Sequence, residues 1–326
     1  MLAEQSSSPP TKIDLAGSRD PSDRIFGWLA FGAAGLVLLI LGLIAITMTN
    51  RASSVFREMG LEFFTSKRWS PADDKFGGLS FIWGTLYTSA IAIVIAVPIS
   101  LSVSLFITQV APRWLKMPLV YVLDLLAVIP SVVFGLWGVL TLATPIQSVY
   151  ARVHHAVDGI PILQSIFGAS PQGRSFFTAG IILSVMITPI ITSLSREVIE
   201  TTPANEKEAA YALGATRWEM IRGSVIPHSK GGLVGAVMLG LGRAMGETIA
   251  AALVIGASIG QLSINLFSSG NSMPAVIANE WGEADDLHKS GLIALAVVLF
   301  LITILVNVIA SAIVRRSMAR SRGANS

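Results

Sequence analysis

Six apolar stretches, each about as long as a membrane is thick, constrain the fold of this chain more than any other feature. A helix needs roughly 20 mostly apolar residues to cross the hydrocarbon core of a bilayer. The stretches of that length are Ile25–Met48, Leu79–Thr108, Met117–Leu140, Ser175–Leu194, Leu233–Ala257 and Ser290–Val314. The sequence therefore predicts an all-α integral membrane protein with six transmembrane helices.

Composition supports that prediction and excludes other classes of protein. Hydrophobic residues make up 52% of the chain and charged residues only 13%, which is unlike a soluble domain. The formal net charge is +3, but Lys and Arg lie mostly between the apolar stretches, so we expect no nucleic-acid partner. The chain has no cysteine, which excludes disulfides and thiolate chemistry.

The distribution of Lys and Arg predicts the orientation in the membrane. These residues are more numerous in the segments on the side of both termini than in the segments on the opposite side. Because cytosolic loops carry the excess of Lys and Arg, we expect both termini in the cytosol. The last external loop agrees, since one lysine, Lys289, accompanies a group of acidic residues: Glu280, Glu283, Asp285 and Asp286.

The chain divides into four predicted regions. Residues 1–24 are rich in Ser, Pro and charge without apolar periodicity, so they are predicted to form a cytosolic tail. Residues 25–78 form an extra first transmembrane helix with an external loop, and residues 79–314 form a five-helix core. This core contains a cytosolic segment at 201–228. Residues 315–326 are a basic cytosolic C-terminus.

The cytosolic segment is predicted to contain two short helices. Thr202-Pro203 favours a helix start, and Gly214 favours a stop because glycine adopts the left-handed conformation readily. Thr216 and Glu219 have the spacing of a capping box and predict a second start. Pro227 is expected to end this second helix.

The first of these helices carries a motif with a specific spacing. Glu208-Ala209-Ala210 is followed by Gly214 and then by Pro227, with Ser224 and Ile226 just before the proline. The spacing resembles the signature of the membrane permease subunits of bacterial ABC importers, which usually have Ile and Leu at those last two positions. In that family this segment docks onto the ATPase subunit. The resemblance implies ATPase coupling by Glu208, Ala209, Ala210, Gly214 and Pro227, whereas the simpler alternative is an ordinary amphipathic loop helix.

Two longer stretches resemble the C-type permeases of the phosphate-specific uptake system. They are Asp124–Gly138 and Gly240–Thr248, and the first usually opens with Glu where this chain has Asp124. The resemblance implies the type I ABC importer architecture in a bacterial cell membrane. It also implies a permease subunit of a phosphate importer whose partners are a second, A-type permease, an ATPase dimer and an extracytoplasmic phosphate-binding protein.

Three charged residues lie inside predicted spans, where each costs about 2.5 to 3.5 kcal/mol on insertion scales. Arg243 and Glu247 are four residues apart, so on one helix they would share a face and could pair. Either they neutralise each other or they line the translocation path. In a path, Arg243 would attract phosphate and Glu247 would keep it from being held too tightly. Asp124 has either a path role or a structural hydrogen-bonding role.

Other features exclude catalysis and leave two alternatives open. The chain has no phosphate-binding loop, so it is predicted to be non-catalytic, with ATP hydrolysed by a separate subunit. His154 and His155 are adjacent within the loop Thr141–Arg174, which is predicted to form short helices, and this spacing predicts no metal site. No cofactor is expected. The alternatives to a phosphate importer permease are an importer permease for another oxyanion or solute, and a self-contained channel or secondary transporter.

Pro98, Pro130 and Pro189 predict kinks within spans.

Overall fold

The computed structural model describes residues 21–169 and 172–323, with side chains described for 24–169 and 172–312. Most of the predicted cytosolic tail and the last three residues lie outside this description, as do the side chains of the basic C-terminus. The chain divides into two units, Met1–Asn50 and Arg51–Ser326, called here the N-terminal unit and the main unit.

The first helix is longer than the sequence predicts. Helix α1 spans Pro21–Met59, whereas the apolar stretch ends at Met48. The extra turns lie in the main unit, where Ala52 and Val55 are buried in a cluster with Phe63. This packing extends the helix into a segment whose polar composition predicts a loop.

The main unit is built almost entirely of helices. Its elements are α2 (Glu62–Thr65), β1 (Trp69–Ser70), β2 (Lys75–Phe76), α3 (Leu79–Leu105), α4 (Arg113–Val128), α5 (Ser131–Trp137), α6 (Ala143–Ala156), α7 (Pro161–Ile166), α8 (Phe176–Glu200), α9 (Ala204–Ala212), α10 (Arg217–Met220), α11 (Ile226–Gly246), α12 (Ile249–Val254), α13 (Met273–Glu280) and α14 (Asp286–Gly323). The two strands form an antiparallel hairpin that pairs Trp69 with Phe76. Five helical segments in the described part of the chain are long and apolar enough to cross a membrane: Arg24–Met59, Leu79–Val110, Ser131–Ala156, Phe176–Glu200 and Asp286–Ala312.

The core of the main unit forms where α3, α8 and α11 pack together. Small residues allow the close approach: a Cβ atom added to Gly180 would come within 2.4 Å of Ile91, and one added to Gly240 within 2.6 Å of Ile191. The hydroxyl of Ser100 donates a hydrogen bond of 3.1 Å to the carbonyl of Thr188 across the α3–α8 contact. Small residues at such contacts allow helix backbones to approach closely in a membrane.

A second core joins the hairpin to α13 and α14. Its centre is the Glu280 carboxylate, whose Oε2 accepts a 2.8 Å hydrogen bond from Trp69 Nε1 and lies 2.8 Å from His288 Nε2. The Trp69 ring packs edge-on against Phe76 and Phe81. A half-buried carboxylate is thus held at the edge of an aromatic cluster through one of its oxygens, Oε2.

The third predicted span, Met117–Leu140, is wrong as a single helix. Helix α4 ends at Val128, and Ile129 and Pro130 are extended before α5 begins at Ser131. Proline lacks an amide hydrogen and disfavours the helical conformation in the residue before it, so Pro130 breaks the helix instead of bending it. The helical segment long enough to cross the membrane is Ser131–Ala156, which includes part of the predicted loop Thr141–Arg174. Short helices were predicted in that loop; α7 confirms one of them, whereas α6 is the second half of this long segment.

The fifth predicted span, Leu233–Ala257, is also divided. Helix α11 ends at Gly246, Glu247 has an extended ψ of 124°, and α12 begins at Ile249. The segment before the break is rich in glycine, which is a poor helix former in a helix interior. Pro98 and Pro189 lie inside the continuous helices α3 and α8.

Candidate translocation path and coupling surface

The predicted cytosolic helix exists with nearly the predicted bounds. Helix α9 runs from Ala204 to Ala212, with Pro203 immediately before it. Gly214 has φ of +83°, so the left-handed stop predicted from the sequence is confirmed. Because an L-residue adopts this conformation only at a cost, glycine is the residue that fits this turn.

The second cytosolic helix begins with the predicted capping box. The Glu219 amide donates to the Thr216 hydroxyl at 3.4 Å, and Glu219 Oε2 accepts from the Thr216 amide at 2.7 Å. The hydrogen bonds from Thr216 stabilise the charged form of Glu219 and lower the pKa of its carboxyl below 4.5. The cap is therefore intact at neutral pH.

The predicted end of this helix at Pro227 is wrong. Helix α10, a π-helical turn at Ile221–Val225, and α11 follow one another without interruption, and Pro227 lies in the first turn of α11. The missing amide hydrogen of the proline falls just after the π turn, where the regular hydrogen-bond ladder is already interrupted. The cytosolic segment is thus joined directly to the fifth predicted span.

One side of the cytosolic segment is anchored and the other is exposed. Met220, Ile221 and Val225 are buried in a cluster with Ile199 near the end of α8. On α9, Ala204, Glu208 and Ala212, which share one predicted face, are exposed, and so is Ala209 beside them, whereas Ala210 is half-buried against this cluster. Leu213 is 90% exposed and Trp218 is 61% exposed. Exposed large apolar side chains on an anchored segment are typical of a protein interaction surface.

Arg243 and Glu247 do not form the pair that their spacing suggests. Arg243 is exposed in the last turn of α11, and it has no hydrogen bond or ion pair with any residue whose side chain is described. Glu247 lies beyond the helix end, and its Oε1 accepts a long hydrogen bond of 3.4 Å from the Ala250 amide of α12. The expected shared helical face is therefore wrong, because the helix ends between the two residues.

Asp124 lies on α4 and is exposed. Within the described ranges it has no hydrogen-bonding partner, so a structural bond inside this chain does not account for it. The large side chains around it are also exposed, including Tyr121, Val122, Leu125 and Val128. Because a carboxylate is costly against lipid, we expect this face of α4 to meet water or a protein partner.

The first stretch that carries the family resemblance packs against α12, the helix that directly follows the second stretch. A Cβ atom added to Gly135 of α5 would lie 3.0 Å from the Ala250 Cα of α12, and one added to Gly138 would lie 2.8 Å from Val254. Helix α5 follows the helix break at Ile129 and Pro130, which lies beyond Asp124 in the chain, and α12 follows the helix break that contains Glu247. The charged residues therefore precede two short helices that pack closely.

Sequence reasoning missed Arg174. It lies directly before Ser175, whose hydroxyl caps α8 by accepting from the Thr178 amide. Together with residues of α6 it lines an open polar pocket. No local motif predicts this pocket, because its walls come from separate segments of the chain.

Residues 99–319 match the family described as the binding-protein-dependent transport system inner membrane component. The chain belongs to this family. The chain is therefore a multi-pass inner membrane protein and a non-catalytic subunit, because ATP is hydrolysed by separate subunits in such transporters. Its partners include an ATPase and a substrate-binding protein.

Curated relatives are similar over nearly their whole length. The phosphate transport system permease protein PstC of Xylella fastidiosa strain Temecula1 is 39% identical over 324 residues, covering 99% of this chain and 98% of the relative. The protein of the same name from Mesorhizobium japonicum is 42% identical over 305 residues, covering 92% of each chain. This degree of similarity supports the resemblance found in the sequence.

Solved ABC transporters share the fold. A chain of the bacterial alginate ABC transporter, in complex with its periplasmic protein, has a TM-score of 0.60 at 13% identity, covering 92% of this chain and 99% of that chain. An inward-facing MetNI methionine ABC transporter gives a TM-score of 0.53 at 17% identity, covering 72% of this chain and 94% of that chain. The predicted fold class, an all-α type I ABC importer transmembrane domain, is confirmed.

Proposed function

We propose that this chain is the transmembrane permease subunit of an ATP-driven inorganic phosphate importer, forming half of its translocation path. The observation that carries the proposal is the similarity to phosphate permeases over 99% of the chain. The charged residues Arg243, Glu247 and Asp124 support it, since each lies in an apolar stretch of the sequence and two lack partners in the described part of the chain. Arginine side chains line the pores through which anions pass.

The same proposal identifies the individual partner subunits. A related A-type permease supplies the other half of the path, and the exposed apolar face of α4 is available for contact with it. Two copies of an ATPase act from the cytosol, and an extracytoplasmic phosphate-binding protein delivers the anion. Both termini lie in the cytosol, as the distribution of Lys and Arg indicates.

The coupling mechanism uses the continuity between the cytosolic segment and α11. Closure of the ATPase dimer moves α9, with Glu208, Ala209 and Ala210 on or beside the docking face. Gly214 and the Thr216–Glu219 cap fix the turn between α9 and α10. The motion passes through the π turn and Pro227 into α11, and reaches the break at Glu247. Rigid helices that rotate about such breaks provide alternating access.

The proposal divides the chain into functional regions. Residues 79–314 form the permease core, with coupling by 201–228, and residues 25–78 add a helix and an external loop to it. The tail, 1–24, and the basic end, 315–326, remain in the cytosol.

One experiment tests the assignment. The tagged chain is purified from membranes, its companions are identified, and the ATPase activity of the complex is measured with binding protein plus phosphate or sulfate. We expect a second permease and an ATPase to co-purify, and we expect stimulation by phosphate. Stimulation by sulfate alone would favour a permease for another oxyanion, and purification without an ATPase would favour a self-contained channel.

A further inference from the structure

A polar pocket of about 410 Å³ opens beside the start of α8. Four polar side chains line it: Thr144 and Gln147 from α6, and Gln172 and Arg174 from the segment before α8. Thr144 and Gln147 are three residues apart on α6, so they project from the same side of that helix. The pocket has room for a small hydrated ion.

Arg174 is the charged group of this pocket, and it has no counter-ion within it. No carboxylate lines the pocket, and among the described side chains Arg174 makes no ion pair or hydrogen bond. Asp158, an acid of the same external segment, accepts instead from the Gln164 side chain and the Gly159 amide. An exposed guanidinium beside hydroxyl and amide groups matches the hydrogen-bonding needs of an oxyanion.

The backbone that carries Arg174 is held on both sides. The Ser175 amide donates to the Val254 carbonyl at 3.1 Å, and the Thr178 hydroxyl donates to the Gly173 carbonyl at 2.6 Å. Gly173 lies so close to α6 that an added Cβ atom would come within 1.7 Å of the Ala143 carbonyl oxygen. The site is thus largely preformed, which reduces the entropy lost when a ligand binds.

The ligand contacts come from side chains and not from the amides of α8. The Thr178 amide is capped by Ser175, and the amides of Phe176 and Phe177 donate to the carbonyls of Ser268 and Leu266. The helix start still contributes a positive partial charge, which adds to the charge of Arg174. Both act in the same direction on an anion.

The pocket is connected to the residues of the proposed path. Helix α12 begins at Ile249, just after Glu247, and ends at Val254, which binds the Ser175 amide. Its six residues span about 9 Å at 1.5 Å per residue. Helix α12 therefore extends from the break that follows Arg243 to the residue next to Arg174, and Arg174 lies on the side away from the cytosolic segment. Conduction is favoured by successive sites that each hold an ion weakly.

We propose that Arg174, with Thr144 and Gln147, forms an outer capture site for a small oxyanion. It holds inorganic phosphate after the binding protein releases it and before the anion reaches Arg243. This inference rests on the proposed function for the identity of the anion.

The first test measures phosphate moved per ATP hydrolysed by the complete transporter in proteoliposomes. For Arg174→Gln we expect this ratio to fall about fivefold, since the released anion escapes outward when its charged partner is lost. The ATPase rate stimulated by loaded binding protein should remain unchanged. Arg174→Lys should restore part of the ratio, because it retains the charge without the planar fork. Arg152→Gln is the matched control, since Arg152 is an exposed arginine of the same segment whose Nε donates to Ser148.

The second test measures binding at the pocket directly. The complex without binding protein is treated with phenylglyoxal, and modification of Arg174 and Arg152 is followed by mass spectrometry. We expect millimolar inorganic phosphate to protect Arg174 and not Arg152.

The outcomes separate this inference from the proposed function. The capture site is overturned if Arg174→Gln moves as much phosphate per ATP as the wild type and phosphate does not protect Arg174 from phenylglyoxal. If the same liposomes still take up phosphate when ATP is supplied, the importer assignment stands. A parallel loss of ATPase stimulation identifies Arg174 as a contact for the binding protein and also overturns the site. Protection by sulfate in a complex that moves no phosphate supports the oxyanion site and overturns the phosphate assignment.

Discussion

Arg243 and Glu247 lie on opposite sides of a helix end. Arg243 belongs to the last turn of α11, and Glu247 is the first residue beyond it, with its carboxylate directed to the Ala250 amide of α12. The carboxylate is thus engaged by the backbone of the next helix. The guanidinium is left without a counter-ion among the described residues, which is consistent with the proposed attraction of an anion by Arg243.

Arg243→Gln is predicted to abolish phosphate uptake. It removes the positive charge and leaves the size of the side chain nearly unchanged, and Arg243 makes no described bond whose loss would unfold the helix. We expect uptake to fall by about tenfold or more, as the anion loses its charged partner in a low-dielectric path. Uptake is measured in proteoliposomes, and co-purification of the ATPase verifies assembly. Arg243→Lys should retain part of the activity, and normal uptake in Arg243→Gln would remove the path role.

Glu208→Lys is predicted to uncouple ATP hydrolysis from transport. Glu208 is exposed on the proposed docking face of α9, so charge reversal should disturb the proposed contact with the ATPase without disturbing the fold. The measurement compares ATPase rate and uptake in the same preparation. Glu197→Lys, at an exposed position near the end of α8, is the matched charge reversal and should have little effect. If the ratio of phosphate uptake to ATP hydrolysis were the same in the two variants, docking through α9 would be contradicted.

Gly240→Ala is predicted to destabilise the packing of α11 on α8. The new Cβ atom would come within 2.6 Å of Ile191 Cδ1 and Cγ1, and such overpacking typically costs about 1 to 3 kcal/mol. Gly242→Ala is the control in the same motif, because a Cβ atom there meets nothing within 4 Å. Only Gly240→Ala should lower the midpoint temperature of thermal unfolding of the purified complex. A larger effect at Gly242 would contradict the packing described for α11.

Glu280→Ala is predicted to destabilise the junction of the hairpin with α13 and α14. It leaves Trp69 Nε1 and His288 Nε2 without their shared acceptor, and unsatisfied buried groups cost about 1 to 3 kcal/mol each. Glu283→Ala removes an exposed carboxylate of the same loop and serves as the control. Hydrogen exchange of the segment around Trp69 should increase in the first variant alone, and unchanged exchange there would exclude this cluster as a stabilising contact.

Thr216→Ala is predicted to loosen the start of α10 at neutral pH. The pKa of Glu219 is lowered by its hydrogen bonds with Thr216, so the ionised cap stabilises the folded form above the usual carboxyl pKa of 4.5. That contribution is lost as the pH falls through the lowered pKa. Amide exchange of the peptide covering 214–222 should increase in the variant at pH 7, and Thr201→Ala should leave it unchanged. Equal exchange in wild type and Thr216→Ala would contradict a stabilising cap.

Local chemistry explains what the sequence predicted correctly. The turn at Gly214 and the box formed by Thr216 and Glu219 depend on residues within a few positions of one another, so they are visible in the sequence. Apolar length likewise predicted the membrane class and four of the crossings. Pro98, Pro130 and Pro189 were all expected to bend helices, but only Pro130 interrupts one, and the helix after it, α5, packs against α12.

Long-range packing explains what the sequence did not predict. Helix α1 continues past Met48 because Ala52 and Val55 pack on Phe63, which no local pattern indicates. The pocket of Arg174 requires α6 and the start of α8 to meet.

The break at Glu247, by contrast, had a local signal in the sequence. The glycines at 240, 242 and 246 lower helix propensity before the charged residue.

The most direct test of the account is phosphate uptake by proteoliposomes that contain either the purified chain alone or the complete complex with binding protein and ATP. The account predicts no uptake by the chain alone and phosphate uptake by the complex that stops when ATP is withheld. Phosphate uptake by the chain alone, without ATP, would contradict the claim that this subunit is moved by a separate ATPase.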